Sequence, residues 1–156
     1  MAGAGEAETA YRMLLNTEKP GWLGEVLDGA TTIWENWEGN VSQNHYSPGA
    51  VCQWLFDTCA GIRVDGENHF VIAPQPGGAL SHAEASYRSL YGVVKSRWER
   101  TDGGLKFRVE IPPDGSIPQV EITSCGLNGG ALTGQSAGFL SKSALLWHVA
   151  PKKSFS

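Results

Sequence analysis

The spacing of apolar residues changes once along this chain, near residue 70, and this change limits the folds open to it. Before that point apolar side chains recur at three- and four-residue intervals, as in helices that bury one face. After it they alternate with polar side chains, as in strands of a sheet with one exposed face. A chain of 156 residues with helices first and strands second is typical of the α+β class.

The helical part contains three predicted elements. One helix is expected from about Glu6 to Leu15, and a short helical turn from Trp22 to Leu27. A third helix is expected between Ser47 and Gly61. Ser47 is a favourable N-cap, the next residue is a proline that suits the first turn, and Gly61 is a favourable stop.

The second part predicts four or five antiparallel strands that form a sheet or a small β-sandwich. A composition rich in Asp and Gly predicts a hairpin turn at 101–104. After Ser124 glycines interrupt every possible element, so residues 125–156 are expected to be a poorly ordered Gly/Ser-rich tail. The predicted strands are Phe70–Ala73, Ala83–Arg88, Val94–Glu99, Leu105–Ile111 and Gln119–Ile122.

Charge and cysteine content narrow the class of protein. A net charge of −4 gives no reason to expect nucleic acid or an anionic membrane as a partner, and no apolar run reaches membrane-spanning length. Cys52 and Cys59 fall on one predicted helix about 10 Å apart along its axis, beyond the reach of a disulfide. Reduced thiols and an N-terminus without signal-peptide features favour a cytoplasmic protein.

The stretch 31–37 has the residues best suited to chemistry. Glu35 stands between Trp34 and Trp37; indole faces suit the C–H faces of a sugar ring, and a carboxylate can act as a general base toward water. The alternative is that Glu35 is a solvated loop carboxylate between two core tryptophans, since most glutamates are exposed.

Three further candidates follow in 44–46. His45 could donate to or accept from a sugar hydroxyl, or it could be a partly buried histidine at a helix start. Asn44 and Tyr46 have equally reasonable local roles in turn formation and packing. Nearby, Glu25, Asp28 and Glu38 are expected to be surface or capping groups.

Metal and cofactor sites are not predicted. The histidines at 69, 82 and 148 lack partners at metal-ligand spacing, and the cysteines form no C-x-x-C pair. A glycine-rich phosphate loop and a serine nucleophile elbow are also absent from the sequence.

From about Ala10 to Ile122 the chain resembles the C-terminal part of a family 78 glycoside hydrolase, an α-L-rhamnosidase. Gly29–Trp37 is the specific part of this resemblance; the supporting motifs are Tyr11–Thr17, Pro20–Trp22, Asn44–Tyr46 and Ala60–Ile62. The resemblance implies the last helices of an (α/α)6 barrel over residues 1–68 and a β-sandwich domain over 69–124.

The resemblance also implies roles for these residues. Glu35 corresponds to the general base of an inverting hydrolysis, and His45 to a residue that contacts rhamnose, while Trp34, Trp37 and Tyr46 shape the pocket together with Asn44. The general acid of that family lies on earlier barrel helices, so this chain is expected to be a fragment with the base only. Its expected partners are a rhamnose-containing glycoside and the rest of the barrel, with no cofactor.

Two other functions stay open from the sequence. One is another (α/α)6 glycosidase, fucosidase-like or glucoamylase-like, in which Glu35 keeps its role and the sugar differs. The other is a non-catalytic carbohydrate-binding or structural β-domain with a helical extension. Barrel helices without their neighbours would expose Leu14, Leu15 and Trp22, which predicts a possible homo-oligomer or a mobile N-terminal region.

Overall fold

The computed structural model describes the backbone of residues 4–66, 69–112, 119–122, 133–134 and 144–149, and the side chains of 6–66 and 69–112. The chain forms two compact units. The first comprises Met1–Trp54 with Gly77–Ala79, and the second comprises Leu55–Pro76 with Leu80–Ser156. Within the described residues, no helix combines the length and the apolar character needed to cross a bilayer.

The first unit contains the three predicted helices, α1 (Ala4–Leu14), α2 (Trp22–Leu27) and α3 (Ala50–Trp54). On α1, Tyr11 is completely buried, and its ring packs edge to face on the indole of Trp54, with centroids 4.9 Å apart. Gly77 lies against the same ring, where a Cβ would overlap the tyrosine carbons. Tyr11 is therefore the centre of this unit's packing.

Asn16 closes the turn between α1 and α2. Its side-chain amide donates to the carbonyl of Pro20 at 2.8 Å, and its carboxamide oxygen accepts the backbone N–H of Glu18 at 3.2 Å. The backbone oxygen of Asn16 accepts the N–H of Gly24 at 3.1 Å. A single polar side chain thus fixes the break that the sequence predicts after Leu15.

The apolar surface of these helices differs from the prediction. Leu14, Leu15 and Trp22 are half-buried, whereas Val26 and Leu27 of α2 are exposed, as is Met13 of α1. The first three, which the loss of barrel neighbours was expected to expose, are thus partly covered, because the helices pack within their own unit.

The start of α3 also differs. The N–H of Ala50 donates to the backbone oxygen of Ser47 at 3.2 Å, a three-residue turn, so the α-helix begins at Ala50 and Ser47 does not serve as its N-cap. A π-helical turn, Leu55–Cys59, follows and is closed by the N–H of Ala60 on the oxygen of Leu55 at 2.9 Å. Gly61, at φ +81°, ends it as predicted.

The second unit contains two sheets. The smaller has the order β1-β2-β6, from β1 (Ile62–Val64), β2 (His69–Ile72) and β6 (Gln119–Ile122). β1 and β2 are antiparallel, but β2 and β6 are parallel, so the prediction of an entirely antiparallel arrangement was wrong for this pair. β1 follows the predicted helix stop at Gly61, where the sequence predicted no strand, and its pairing with β2 identifies it as one.

The larger sheet has the order β3-β4-β5-β8-β7 and is antiparallel throughout. Its first three strands, β3 (His82–Ser89), β4 (Gly92–Thr101) and β5 (Gly104–Glu110), confirm the alternation in the sequence, and the Thr101–Gly104 hairpin is confirmed too. β7 (Thr133–Gly134) and β8 (Ala144–Val149) fall in the predicted tail, where strands were not expected. The remaining residues of 125–156 lie outside the described residues.

The two sheets share one core, which confirms a sandwich. Ile62, Phe70 and Ile72 of the smaller sheet pack with Val94 and Val109 of the larger one, and all five are buried. Two buried side chains of β4 also hold the chain near Gly61. Trp98 donates its indole N–H to the oxygen of Cys59 at 2.8 Å, and Ser96 donates its hydroxyl to the oxygen of Ala60 at 2.7 Å.

Ion pairs cover the polar face of the larger sheet. Glu99 lies 3.0 Å from Lys106 and 3.1 Å from Arg97; hydrogen bonding to Lys106, then to Arg97, holds the pKa of Glu99 below its ordinary value of 4.5. Glu110 contacts Lys95 at 3.0 Å, and this contact is the main reason that its pKa is lowered as well.

These lowered pKa values predict acid sensitivity. A carboxylate with a depressed folded-state pKa adds stability above its unfolded pKa and loses it as the pH falls through the folded one. We expect Glu99→Gln to be less stable than the wild type at pH 7, and the difference to shrink as the pH falls below about 4.5. Urea unfolding measured across this range tests the prediction; a difference that does not change with pH would contradict it.

Candidate functional site

All the predicted site residues lie in the segment between α2 and α3, and this segment folds as two paired arms. The N–H of Glu35 donates to the oxygen of Ser42 at 2.8 Å, and the N–H of His45 donates to the oxygen of Ile33 at 2.9 Å. The hydroxyl of Thr32 adds a bond to the oxygen of Gln43. Backbone pairing therefore brings 32–35 beside 42–45.

The turn that joins the arms is held by amides and a glycine. Asn36 donates to the side-chain oxygen of Asn40 at 2.7 Å, and Gln43 donates to the oxygen of Gly39 at 2.9 Å. Gly39 has φ +65°, and a Cβ there would lie 2.7 Å from the ring of Trp34. Both the backbone conformation and the close ring therefore require glycine at this position.

Glu35 and His45 are brought together by this pairing. Glu35 Oε2 lies 3.8 Å from His45 Nδ1, with side chains 45% and 30% exposed. The same oxygen accepts the backbone N–H of Ser42 at 3.3 Å. The arrangement is a carboxylate oriented by a backbone donor beside an imidazole, both reachable by solvent. It can accept a proton from water and offer a ring nitrogen to a hydroxyl.

Tyr46 extends the site along the chain. Its ring stacks on that of His45 with centroids 5.4 Å apart and an angle of 22°, and the tyrosine is 88% exposed. Asn44 is exposed as well, and its backbone oxygen accepts the hydroxyl of Ser42 at 3.3 Å. The stacked rings present an open aromatic surface of the kind that sugar rings use.

The two tryptophans that flank Glu35 are half-buried. Trp34 covers Gly39, and Trp37 packs edge to face on Trp22 of α2, with centroids 5.8 Å apart and planes at 83°. These contacts give both indoles a role in holding the Glu35 loop in place.

Of the three nearby acids, Glu25 differs from the prediction of a surface or capping group. It is only 2% exposed, and its Oε1 has no hydrogen-bond partner among the described residues. Glu25 lies one turn from Trp22 on α2, so both face the interior of the unit. Asp28 is a C-cap as predicted and pairs with Lys19 at 2.8 Å.

Three residues that support the site were not predicted from the sequence. Ser42 and the pair Asn36 and Asn40 hold the arm opposite Glu35, and the Glu38-Gly39-Asn40 composition was the available signal, since Gly and Asn favour turns. Across the described side chains, no three His, Cys, Asp or Glu residues group closely enough to hold a metal ion.

Two family models match this chain. The bacterial α-L-rhamnosidase six-hairpin glycosidase domain matches residues 1–59, and the bacterial α-L-rhamnosidase C-terminal domain matches residues 63–123. The chain belongs to the bacterial α-L-rhamnosidase family. Its α+β architecture is thus the end of the six-hairpin domain followed by the C-terminal β-domain, as the resemblance in the sequence implied.

Curated relatives agree with this assignment. An α-L-rhamnosidase of Streptomyces avermitilis is 33% identical over 127 residues, 73% of this chain and 12% of the relative. One of Formosa agariphila is 34% identical over 131 residues, 76% of this chain and 14% of the relative. The chain therefore spans roughly an eighth of the length of these relatives.

Solved structures give the same fold. The S. avermitilis α-L-rhamnosidase complexed with L-rhamnose matches 94% of this chain and 16% of its own, with a TM-score of 0.68 and 26% identity. The α-L-rhamnosidase of Dictyoglumus thermophilum matches 94% of this chain and 19% of its own, with a TM-score of 0.73 and 23% identity; at that identity it supports the fold alone.

Proposed function

We propose that Glu35 is the general base of an inverting hydrolysis of terminal α-L-rhamnosides, carried out when this chain's helices are part of a complete six-hairpin barrel. The observation that carries the proposal is the 3.8 Å approach of Glu35 Oε2 to His45 Nδ1, within a segment of a rhamnosidase family member. In this role the carboxylate takes a proton from the attacking water while His45 binds a hydroxyl of the sugar.

Inversion needs a second carboxyl group about 6.5–9.5 Å from the base, so that a water fits between the base and the anomeric carbon. Proton donation to the leaving oxygen then comes from an acid outside this chain. Tyr46 and Asn44 border the sugar, and Trp34 and Trp37 keep the base in place. Glu35 and Tyr46 are exposed, as we expect of residues that line a pocket completed by other segments of the barrel.

The isolated chain is expected to hydrolyse an aryl α-L-rhamnoside at no more than the buffer rate. A base without a positioned acid and an enclosed pocket loses most of the catalytic effect. Release of the aryl group, followed by absorbance, measures this. Turnover within about 100-fold of an intact relative would contradict the division of acid and base between segments.

A chimera tests the positive side of the proposal. Residues 1–59 replace the matching segment of the S. avermitilis relative, whose other hairpins supply the rest of the barrel. The chimera is expected to hydrolyse the same rhamnoside and to release β-L-rhamnose first, as NMR of the anomeric proton would show. Initial release of the α-anomer would exclude inversion, and equal rates on fucosides would favour a different sugar.

A further inference from the structure

The larger sheet ends at β3, whose outer edge is paired with no other described strand. The N–H of Arg100 donates to the oxygen of Ser81 at 2.7 Å, which sets the phase of the ladder between β3 and β4. Because backbone groups of a strand point alternately to its two sides, the odd-numbered residues of β3 bond to β4. The even-numbered residues, His82, Glu84, Ser86 and Arg88, direct their N–H and C=O groups outward.

These outward residues have a self-complementary order. If a second β3 lies antiparallel with Ser86 opposite itself, Glu84 lies opposite Arg88 at both ends of the pair. Opposed residues that exchange backbone hydrogen bonds have Cα atoms about 5.5 Å apart, with side chains on the same face. All four even-numbered side chains are exposed, so the two oppositely charged pairs would form on the solvent face.

Glu84 and Arg88 on this edge can each form a further ion pair. Arg88 forms no ion pair with any described residue. Glu84 uses Oε2 for Arg97 at 2.7 Å, which leaves Oε1 for a second cation. Two of the residues that commonly protect exposed edge strands, lysine and proline, are absent from His82–Ser89.

We propose that β3 is a homodimerisation edge, at which two copies of this chain pair antiparallel about a two-fold axis at Ser86. The two copies then form one continuous sheet across the axis. In an isologous contact, residue i of one copy meets residue j of the other, and residue j of the first meets residue i of the second. Glu84 and Arg88 satisfy this condition because they are equally spaced on either side of Ser86. The surface buried by one strand pair is small, so the dimer is weak, with a Kd of the order of 100 µM.

The test is sedimentation or light scattering of the intact 16.7 kDa chain at about 10 µM to 1 mM. The wild type is expected to rise toward twice the monomer mass. Arg88→Glu sets like charges opposite each other and is expected to remain monomeric, as is Glu84→Arg. An equimolar mixture of the two variants again sets opposite charges against each other at both positions and is expected to regain dimerisation.

Two more variants separate this contact from other causes. Ser86→Pro removes an outward N–H without changing charge and is expected to abolish the dimer, while far-UV circular dichroism reports its fold. Arg63→Glu makes the same charge change as Arg88→Glu on another strand and is expected to leave the dimer intact. A monomeric wild type at every concentration, a dimer unaffected by Arg88→Glu, or no recovery in the mixture would overturn the proposal.

Discussion

Glu35→Gln is expected to lower kcat of the rhamnosidase chimera by about 10²–10⁴-fold, the usual contribution of a positioned general base. The amide keeps the size of the side chain and an oxygen for the N–H of Ser42, which bonds to Glu35 at 3.3 Å. It cannot take a proton from water. KM is expected to change little, because the sugar is held by other groups. Steady-state kinetics on an aryl α-L-rhamnoside provides the measurement.

Glu38→Gln is the matched control for this experiment. Glu38 is exposed on the same loop and is not part of the paired arms, so the substitution is expected to leave kcat within about twofold. An unchanged kcat in Glu35→Gln would mean that this carboxylate only supports the loop. Equal losses in both variants would point to disruption of the loop and not to catalysis.

Gly61→Ala is expected to destabilise the chain by about 2–5 kcal/mol, the sum of a left-handed backbone penalty and a steric clash. Gly61 has φ +81°, and a Cβ there would overlap the backbone nitrogen and Cα of Pro74. Neither partner can move easily, because the oxygen of Gly61 accepts the N–H of Ala73 at 2.8 Å. The free energy of unfolding from urea titration measures the loss.

Gly66→Ala separates the two contributions. Gly66 also has positive φ, at +97°, but a Cβ there would meet nothing within 4 Å. Its substitution is therefore expected to cost only about 1–2 kcal/mol. If both variants lost the same free energy, the approach of Gly61 to Pro74 would have no energetic weight.

The sequence was sufficient to nominate the residues of the candidate site, but it did not predict how they are arranged in space. The Trp-Glu-Trp motif and the later histidine marked Glu35 and His45 through residue type and spacing. Their 3.8 Å approach depends on the backbone bonds of Ser42 and Ile33 across the loop, which no periodicity reveals. Glu25 shows the same limit, because a residue type that is mostly exposed is here buried by the face of α2 it occupies.

Local patterning was sufficient for the elements whose partners are close in the chain. Alternating side chains and a tight turn specify β4 and β5, because each strand's partner begins a few residues later and the same alternation sets the buried face. The turn residues after Leu15 likewise ended α1 where Asn16 could bond its neighbours.

Long-range packing decided the rest. β1 is a strand because β2 pairs with it, and β6 runs parallel to β2, which requires chain closure over many residues that local preference does not encode. β8 lies beside β5 although glycines precede it in the sequence, since the edge of β5 that β4 leaves open offers backbone partners to it. A backbone N–H or C=O must find a partner somewhere, and only the folded arrangement of distant segments determines which one it finds.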